Sequence, residues 1–441
     1  MSGTTYDDDF SASYAARAHR MTASEIRALF AVASRPEVVS LAGGMPYVSA
    51  LSLNAVGSML GDLVSSRGAA ALQYASAQGD PGLREHICTV MALEGISASP
   101  EDVVVTVGSQ QGLDLVSRIF LDPGDVVVAE GPSYVGALAA FAAAEAEVVH
   151  VPMDDDGLHP APLAETLDRL GAGGRRAKLL YTVPAFHNPA GVTLAASRRD
   201  EVLDIAGRAG VIVVEDNPYG LLGFEEPAPS ALRSQHPGVI YLGTFSKTFA
   251  PGLRVGWVLA PPPVRDKLVL ANEAALLCPP TFSQLAVAAY LETQPWQEQI
   301  KAFRELYRDR RDAMLASLHD LMPPGSTWTV PAGGFYVWLR LVPGLDAKAM
   351  LPRALTERVA YVPGTAFYAD GGGAGALRLS YCYPPPDRIR EGVRRLATVV
   401  EAELDLLQTF GSAVATSPRA ARADGTGRAG VRADSPGPEL A

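Results

Sequence analysis

The sequence predicts an α/β protein: a large domain with a mostly parallel, doubly wound seven-stranded sheet, plus a smaller α+β domain drawn from both chain ends. Three observations carry this. Short runs rich in Val, Ile and Leu occur at residues 103–107, 126–129, 148–151, 179–183, 211–215, 239–242 and 255–259. They do not alternate apolar with polar, as expected of strands covered on both faces. Helical stretches separate most of them, and beyond residue 300 long helices bracket glycine-bounded strands.

Composition bounds what such a chain does. A length of 441 residues, 48% hydrophobic and 19% charged, describes a globular protein of two or three domains with a large core. A net charge of −11 opposes nucleic-acid binding. Cys88, Cys278 and Cys382 are an odd number at no metal-ligand spacing, so they read as reduced, packed thiols and no metal is expected. The first ten residues carry three consecutive aspartates and no apolar core of a signal peptide. No run of eighteen apolar residues offers a membrane span. A cytoplasmic enzyme fits best.

Taken in order, residues 1–20 read as a flexible arm. Residues 21–34 read as a helix, with Thr22 or Ser24 as cap and Ile26, Leu29, Phe30 and Val32 as its apolar side. Gly43 and Gly44 break it ahead of Pro46; paired glycines suit either a plain turn or a close backbone approach to a ligand. The turn at 79–82 starts a helix carrying Leu83, Ile87 and Val90. After the seven runs come helices at 282–291 and 297–321, strands at 333–339, 359–364 and 376–381, and a closing helix at 387–406. The expected division is 21–60 as the first part of the small domain and cover of the site, 61–300 as the large domain and 301–410 as the rest of the small one. Residues 411–441, rich in Ala, Gly, Ser, Pro and Arg, read as a disordered tail.

Ligands in doubly wound sheets bind beyond the carboxyl ends of the strands. Five such ends carry candidates. Gly108-Ser109-Gln110 opens a helix, which suits either a phosphate or an ordinary cap. Tyr134 could lay its ring against a planar group or sit in the core. Asn188, before Pro189, could donate to an oxygen in the crevice or form an Asx turn. His187 beside it reads as a surface-loop residue, because nothing else resembles a His–Asp relay or a metal set. Asp216 ends a buried run, where an acid is costly unless paired; a protonated ring nitrogen would pair it well, while Glu215 faces the other way.

The fifth end is Ser246-Lys247, in a stretch too short and too rich in Pro and Gly for a parallel crossover, so the run at 255–259 should return antiparallel. Alone, Lys247 reads as a lysine on a solvated loop. At a buried strand end its pKa would fall, making it a Schiff-base nucleophile, with Ser246, Gly252 and Arg254 as anion-binding flanks. An amine for an aldehyde and a serine–arginine pair for a phosphate describe a pyridoxal phosphate pocket.

With these residues the chain resembles the fold-type I pyridoxal phosphate aminotransferases, in particular the 2-aminoadipate and multi-substrate aromatic or branched-chain branch. The likeness is carried, in family order over residues 20–405, by 41–46, Gln73-Tyr74, 108–111, Pro132-Ser133-Tyr134, Asn188-Pro189, 216–219, Ser246-Lys247 through Arg254, Gly333-Gly334-Phe335 and Arg378-Leu379-Ser380. The resemblance implies that Lys247 bonds the cofactor and later carries the proton, and that Asp216 keeps the pyridine nitrogen protonated. It implies that Asn188 and Tyr219 hold the ring's phenolate oxygen and Tyr134 stacks on the ring. Ser109, Gln110, Ser246 and Arg254 would hold the phosphate, with Tyr74 reaching in from the second subunit of a homodimer. Arg378 would grip the substrate carboxylate in a bidentate pair, beside Gly44 and Asn188.

The chemistry so implied is ping-pong transfer of an amino group from an L-α-amino acid to a 2-oxo acid such as 2-oxoglutarate. Arg27 matches an arginine that meets a distal carboxylate in the 2-aminoadipate branch, and equally suits a solvated helix face. Met45, Tyr47 and Val48 would line an apolar side-chain pocket. The alternative keeps the cofactor but makes the enzyme a β-lyase, a decarboxylase or oxidase-like. A transcription regulator with this domain would need a basic DNA-binding module, and the residues before Leu41 begin acidic.

Overall fold

The seven valine-rich runs pair into one sheet, and an eighth, two-residue strand extends its edge. The computed structural model describes residues 10–19, 35–226 and 229–415. The chain passes through β1 (Val39–Ser40) and then lays down β2 (Val103–Thr106), β3 (Val126–Gly131), β4 (Glu147–Asp154) and β5 (Gly157–Leu158). Next come β6 (Ala177–Thr182), β7 (Ile212–Asp216), β8 (Ile240–Thr244) and β9 (Gly256–Leu259). Their order is β2-β9-β8-β7-β6-β3-β4-β5. From β8 through β4 neighbours run parallel, while β9 runs antiparallel to β8 and β2, as the short 245–255 crossing requires.

The absence of alternation in these runs follows from a helix layer on each face. Along β3, Val127 and Ala129 pack with Leu113, Val116, Phe141 and Leu268. Val126 and Val128, pointing the other way, pack with Leu163, Val202 and Ile205. Each such buried Val or Leu contributes about 1.5–3 kcal/mol. The scaffold is therefore held by packing on both faces, and the strand ends are free for polar residues.

A second sheet has the order β10 (Thr327–Trp328), β11 (Tyr336–Arg340), β14 (Ala376–Ser380) and β13 (Val362–Pro363), all antiparallel. The stretch read as one strand at 359–364 divides: β12 (Val359–Ala360) pairs parallel with β1, whereas β13 joins β14. Tyr361 marks the break, its hydroxyl donating to Ala347 O at 2.7 Å. The helices Trp296–Leu321 and Pro386–Ala415 pack through Phe303, Tyr307 and Met314 with Ile389, Val393 and Leu396. Val39 and Leu41 share that core, so early and late segments of the chain meet.

The closing helix runs to Ala415, past the expected end at 406. Residues 10–19 hold two short helical turns, Ser11–Ser13 and Ala16–His19. The helix expected at 21–34, Arg27 upon it, and residues 416–441 lie outside the described residues. Among the described residues no helix is long and apolar enough to cross a membrane.

Candidate active site

The five expected strand ends open into a cavity of about 480 Å³. Ser109, Gln110, Tyr134, Asn188, Asp216, Tyr219, Ser246, Lys247 and Arg254 line it, together with Gly44 and Arg378 from the other sheet's side. Tyr74 is absent from this chain's lining and is 76% exposed.

One end of the cavity gathers groups that suit an anion. The helix Ser109–Phe120 begins at Gly108, whose φ of 75° disfavours other residues. A Cβ at Gly256 would lie 2.6 Å from Gly108 C and Ser109 N, so the helix start rests directly on β9. The positive end of that helix therefore faces the cavity. Arg254, itself left-handed at φ 55°, donates through Nη1 to Ser246 Oγ at 3.2 Å. Thr244 Oγ1 accepts from Ser246 N at 3.1 Å and holds the serine at the strand end.

The middle holds two ionisable groups with opposed shifts. Asp216 accepts from the Tyr181 hydroxyl at 2.8 Å on Oδ2, while its buried Oδ1 has no partner. Burial pushes this carboxyl up to about 6, against the Tyr181 bond and the Lys247 charge, which pull it down. Lys247 Nζ donates to Gly44 O at 2.9 Å. Burial lowers its pKa to about 8; Cys382 opposes that shift, and the cations Arg378 and Arg254 add to it.

At the far side, Arg378 is buried and donates from Nη1 to Asn188 Oδ1 at 2.8 Å and from Nη2 to Ala42 O at 2.7 Å. Its Nε is buried without a partner. The guanidinium sits 4.2 Å from the Tyr336 ring centroid and 5.0 Å from that of Phe367. Gly44 has a steric reason to be glycine: a Cβ there would fall 1.9 Å from the Tyr336 hydroxyl. Tyr219 points its hydroxyl to within 3.5 Å of that same hydroxyl, and burial pushes the Tyr219 pKa well above its ordinary value.

Sequence reasoning missed Tyr336 and Tyr181, whose places depend on neighbours remote in the chain. Tyr336 read as an ordinary strand residue, yet it pairs with Ser380, two residues from Arg378. Tyr181 stands opposite Val214 on β7, which sets its hydroxyl toward Asp216. His187 needs correction. It is 1% exposed, not on the surface, because its ring fills the space between the turn at 187–192 and Glu130. Glu215 does face away, accepting from Leu232 N and Arg233 N at 2.9 Å each. The three cysteines are free, and no group of three or more metal-ligating side chains occurs among the described residues.

Comparison with known proteins agrees with this geometry. Residues 51–396 match the family model for aminotransferase class I and II. The chain is 41% identical over 399 residues to aromatic-amino-acid aminotransferase 1 of Thermococcus litoralis, covering 90% of this chain and 96% of that one. It is 38% identical to a 2-aminoadipate transaminase of Thermus thermophilus, over 88% of this chain and 97% of the relative. The crystal structure of Pyrococcus horikoshii kynurenine aminotransferase superposes with a TM-score of 0.86 at 39% identity, covering 90% of this chain and 99% of that one. The chain belongs to the class I and II aminotransferase family.

Proposed function

We propose that this protein uses pyridoxal 5'-phosphate to move an amino group from an L-α-amino acid of 2-aminoadipate-like, aromatic or branched-chain type to a 2-oxo acid such as 2-oxoglutarate. The observation that carries this is one cavity holding two buried, unpartnered polar atoms, Asp216 Oδ1 and Arg378 Nε, with the Lys247 amine lining the same space. Orphaned buried groups are costly, and each here matches a missing partner. A protonated pyridine nitrogen fits Asp216, and an α-carboxylate fits Arg378. The phosphate fits Ser109, the Gln110 backbone, Ser246 and Arg254 at the helix start.

The cofactor supplies an aldehyde that condenses with primary amines and a ring that accepts an electron pair. The chain's residues do the rest. Lys247, with a pKa near 8, is poised to hold the aldehyde and to shuttle the proton at the substrate's α-carbon. Asp216 would keep the ring nitrogen charged, and Tyr134 would cover a ring face. Asn188 and Tyr219 orient the ring oxygen, and Asn188 also braces Arg378. Gly44 leaves room beside the substrate, and Arg27 would meet a distal carboxylate. The absence of a side chain at Gly44 keeps the Tyr336 hydroxyl at the wall.

The same proposal covers assembly and place. Leu53, Leu72, Tyr74 and Leu277 are exposed apolar residues on this chain, which supports a homodimer with Tyr74 entering the partner's site. The division of the chain at residues 60 and 300 and a cytoplasmic setting belong to the same reading. The relatives named above support the aromatic and 2-aminoadipate-like classes. A panel of L-amino donors with 2-oxoglutarate, followed by glutamate formation, tests the reaction. Glutamate and the matching 2-oxo acid in equal amounts are expected; ammonia or carbon dioxide in their place would mark a lyase or decarboxylase.

A further inference from the structure

We propose that His187 is a positioning residue: through a buried pair with Glu130 it fixes the turn that holds Asn188 against Arg378, and so sets how tightly the site grips a carboxylate. The inference rests on Arg378 binding the substrate carboxylate, as proposed above.

His187 and Glu130 are each 1% exposed. Glu130, near the end of β3, accepts from Thr182 Oγ1 at 2.7 Å through Oε1 and from Val183 N at 2.8 Å through Oε2. Oε2 also lies 3.0 Å from His187 Nε2. The other ring nitrogen, Nδ1, accepts from Ala190 N at 3.1 Å. A backbone amide can only donate, so Nδ1 carries no hydrogen. The ring's hydrogen is then on Nε2, buried 3.0 Å from the Glu130 carboxylate but not aligned in a hydrogen bond to it. The imidazole is thus wedged between an amide that donates to it and a carboxylate that it touches at 3.0 Å. A second histidine, His150, meets Glu130 at its backbone oxygen through Nδ1 at 2.9 Å, so it leaves the carboxylate to the other donors.

The backbone of His187 closes the same turn. Its N–H donates to Val192 O at 2.8 Å, and its carbonyl accepts from Gly191 N at 2.6 Å. The next residue is Asn188, whose Oδ1 receives Arg378 Nη1. Glu130, the imidazole, the turn, Asn188 and Arg378 thus form one connected set. Losing the imidazole leaves space beside a buried carboxylate and a buried amide short of an acceptor. The turn relieves both by moving, and Arg378 loses its brace. This affects carboxylate binding before it affects proton transfer, because Lys247 and Asp216 stand on other strand ends.

Glutamine carries an acceptor oxygen and a donor amide in one group, and can serve both partners; leucine offers neither. In the cofactor-loaded enzyme, H187L is expected to raise KM for the amino donor about tenfold, with kcat falling about threefold or less. H187Q should return KM to within about threefold of the native value. Should H187L fail to fold, E130Q is the second variant, since its amide opposes one of the incoming donors and should raise KM in the same direction. The tautomer is read directly in a ¹⁵N spectrum of histidine-labelled enzyme, where His187 should show a bare Nδ1 and a protonated Nε2. R378K serves as reference. If R378K leaves KM unchanged, the site reading itself fails. If R378K raises KM while folded H187L or E130Q does not, or if H187Q is as weak as H187L, the positioning role alone is overturned. A protonated Nδ1 would overturn it as well.

Discussion

At the scale of single residues, burial moves two groups in opposite directions for one reason: low polarity disfavours charge of either sign. Lys247 falls to about 8 and Asp216 rises to about 6. The neutral amine is the nucleophile, so its population grows as pH rises through the lowered value. The rate at which the empty protein captures pyridoxal phosphate should therefore climb as pH approaches about 8 and level above it, as read by rapid-mixing absorbance. A rate that does not rise through that range would mean Lys247 is not the group reacting. Both residues were legible in the sequence because each ends or follows a buried apolar run, where a charge needs a reason. Tyr336 and His187 were not. One owes its place to a strand partner from β14, the other to Glu130 on β3, and no local pattern announces either.

At the scale of elements, the end of the cavity proposed for the phosphate depends on how closely the helix Ser109–Phe120 rests on β9. Gly256 is the contact point, with backbone atoms of Gly108 and Ser109 only 2.6 Å from where a Cβ would sit. Backbone cannot rotate aside as a flexible side chain does. Gly256→Ala should shift the helix start, weaken pyridoxal phosphate binding about tenfold or more and destabilise the fold by about 1–3 kcal/mol. Gly207→Ala, on the helix Ala196–Ala209 where nothing lies within 4 Å, is the matched control and should do neither. Equal cofactor affinity in both variants, by equilibrium titration, would detach the helix start from phosphate binding. The seven longer strands of the large sheet were legible because runs covered on both faces read as unbroken Val and Ile. The split of 359–364 between β12 and β13 was not, since one extended stretch serving two partners looks like a single strand.

At the scale of the whole molecule, two sheets and the early segment through β1 enclose one cavity, and one chain supplies every lining candidate except Tyr74 and the undescribed Arg27. An exposed tyrosine beside exposed Leu72 is a poor surface for a lone chain and a good one for a partner. Mixing an inactive Tyr74→Ala chain with Lys247→Ala should restore activity to about a quarter of native if subunits exchange at random, because half the dimers are mixed and each has one intact site. No recovery would count against a shared site.

The measurement that bears most directly on the whole account is chemical trapping. Protein loaded with pyridoxal phosphate is reduced with borohydride, digested, and its peptides are weighed. A single phosphopyridoxyl adduct on Lys247 is expected. A folded protein that takes no adduct, or carries it on another lysine, would contradict it.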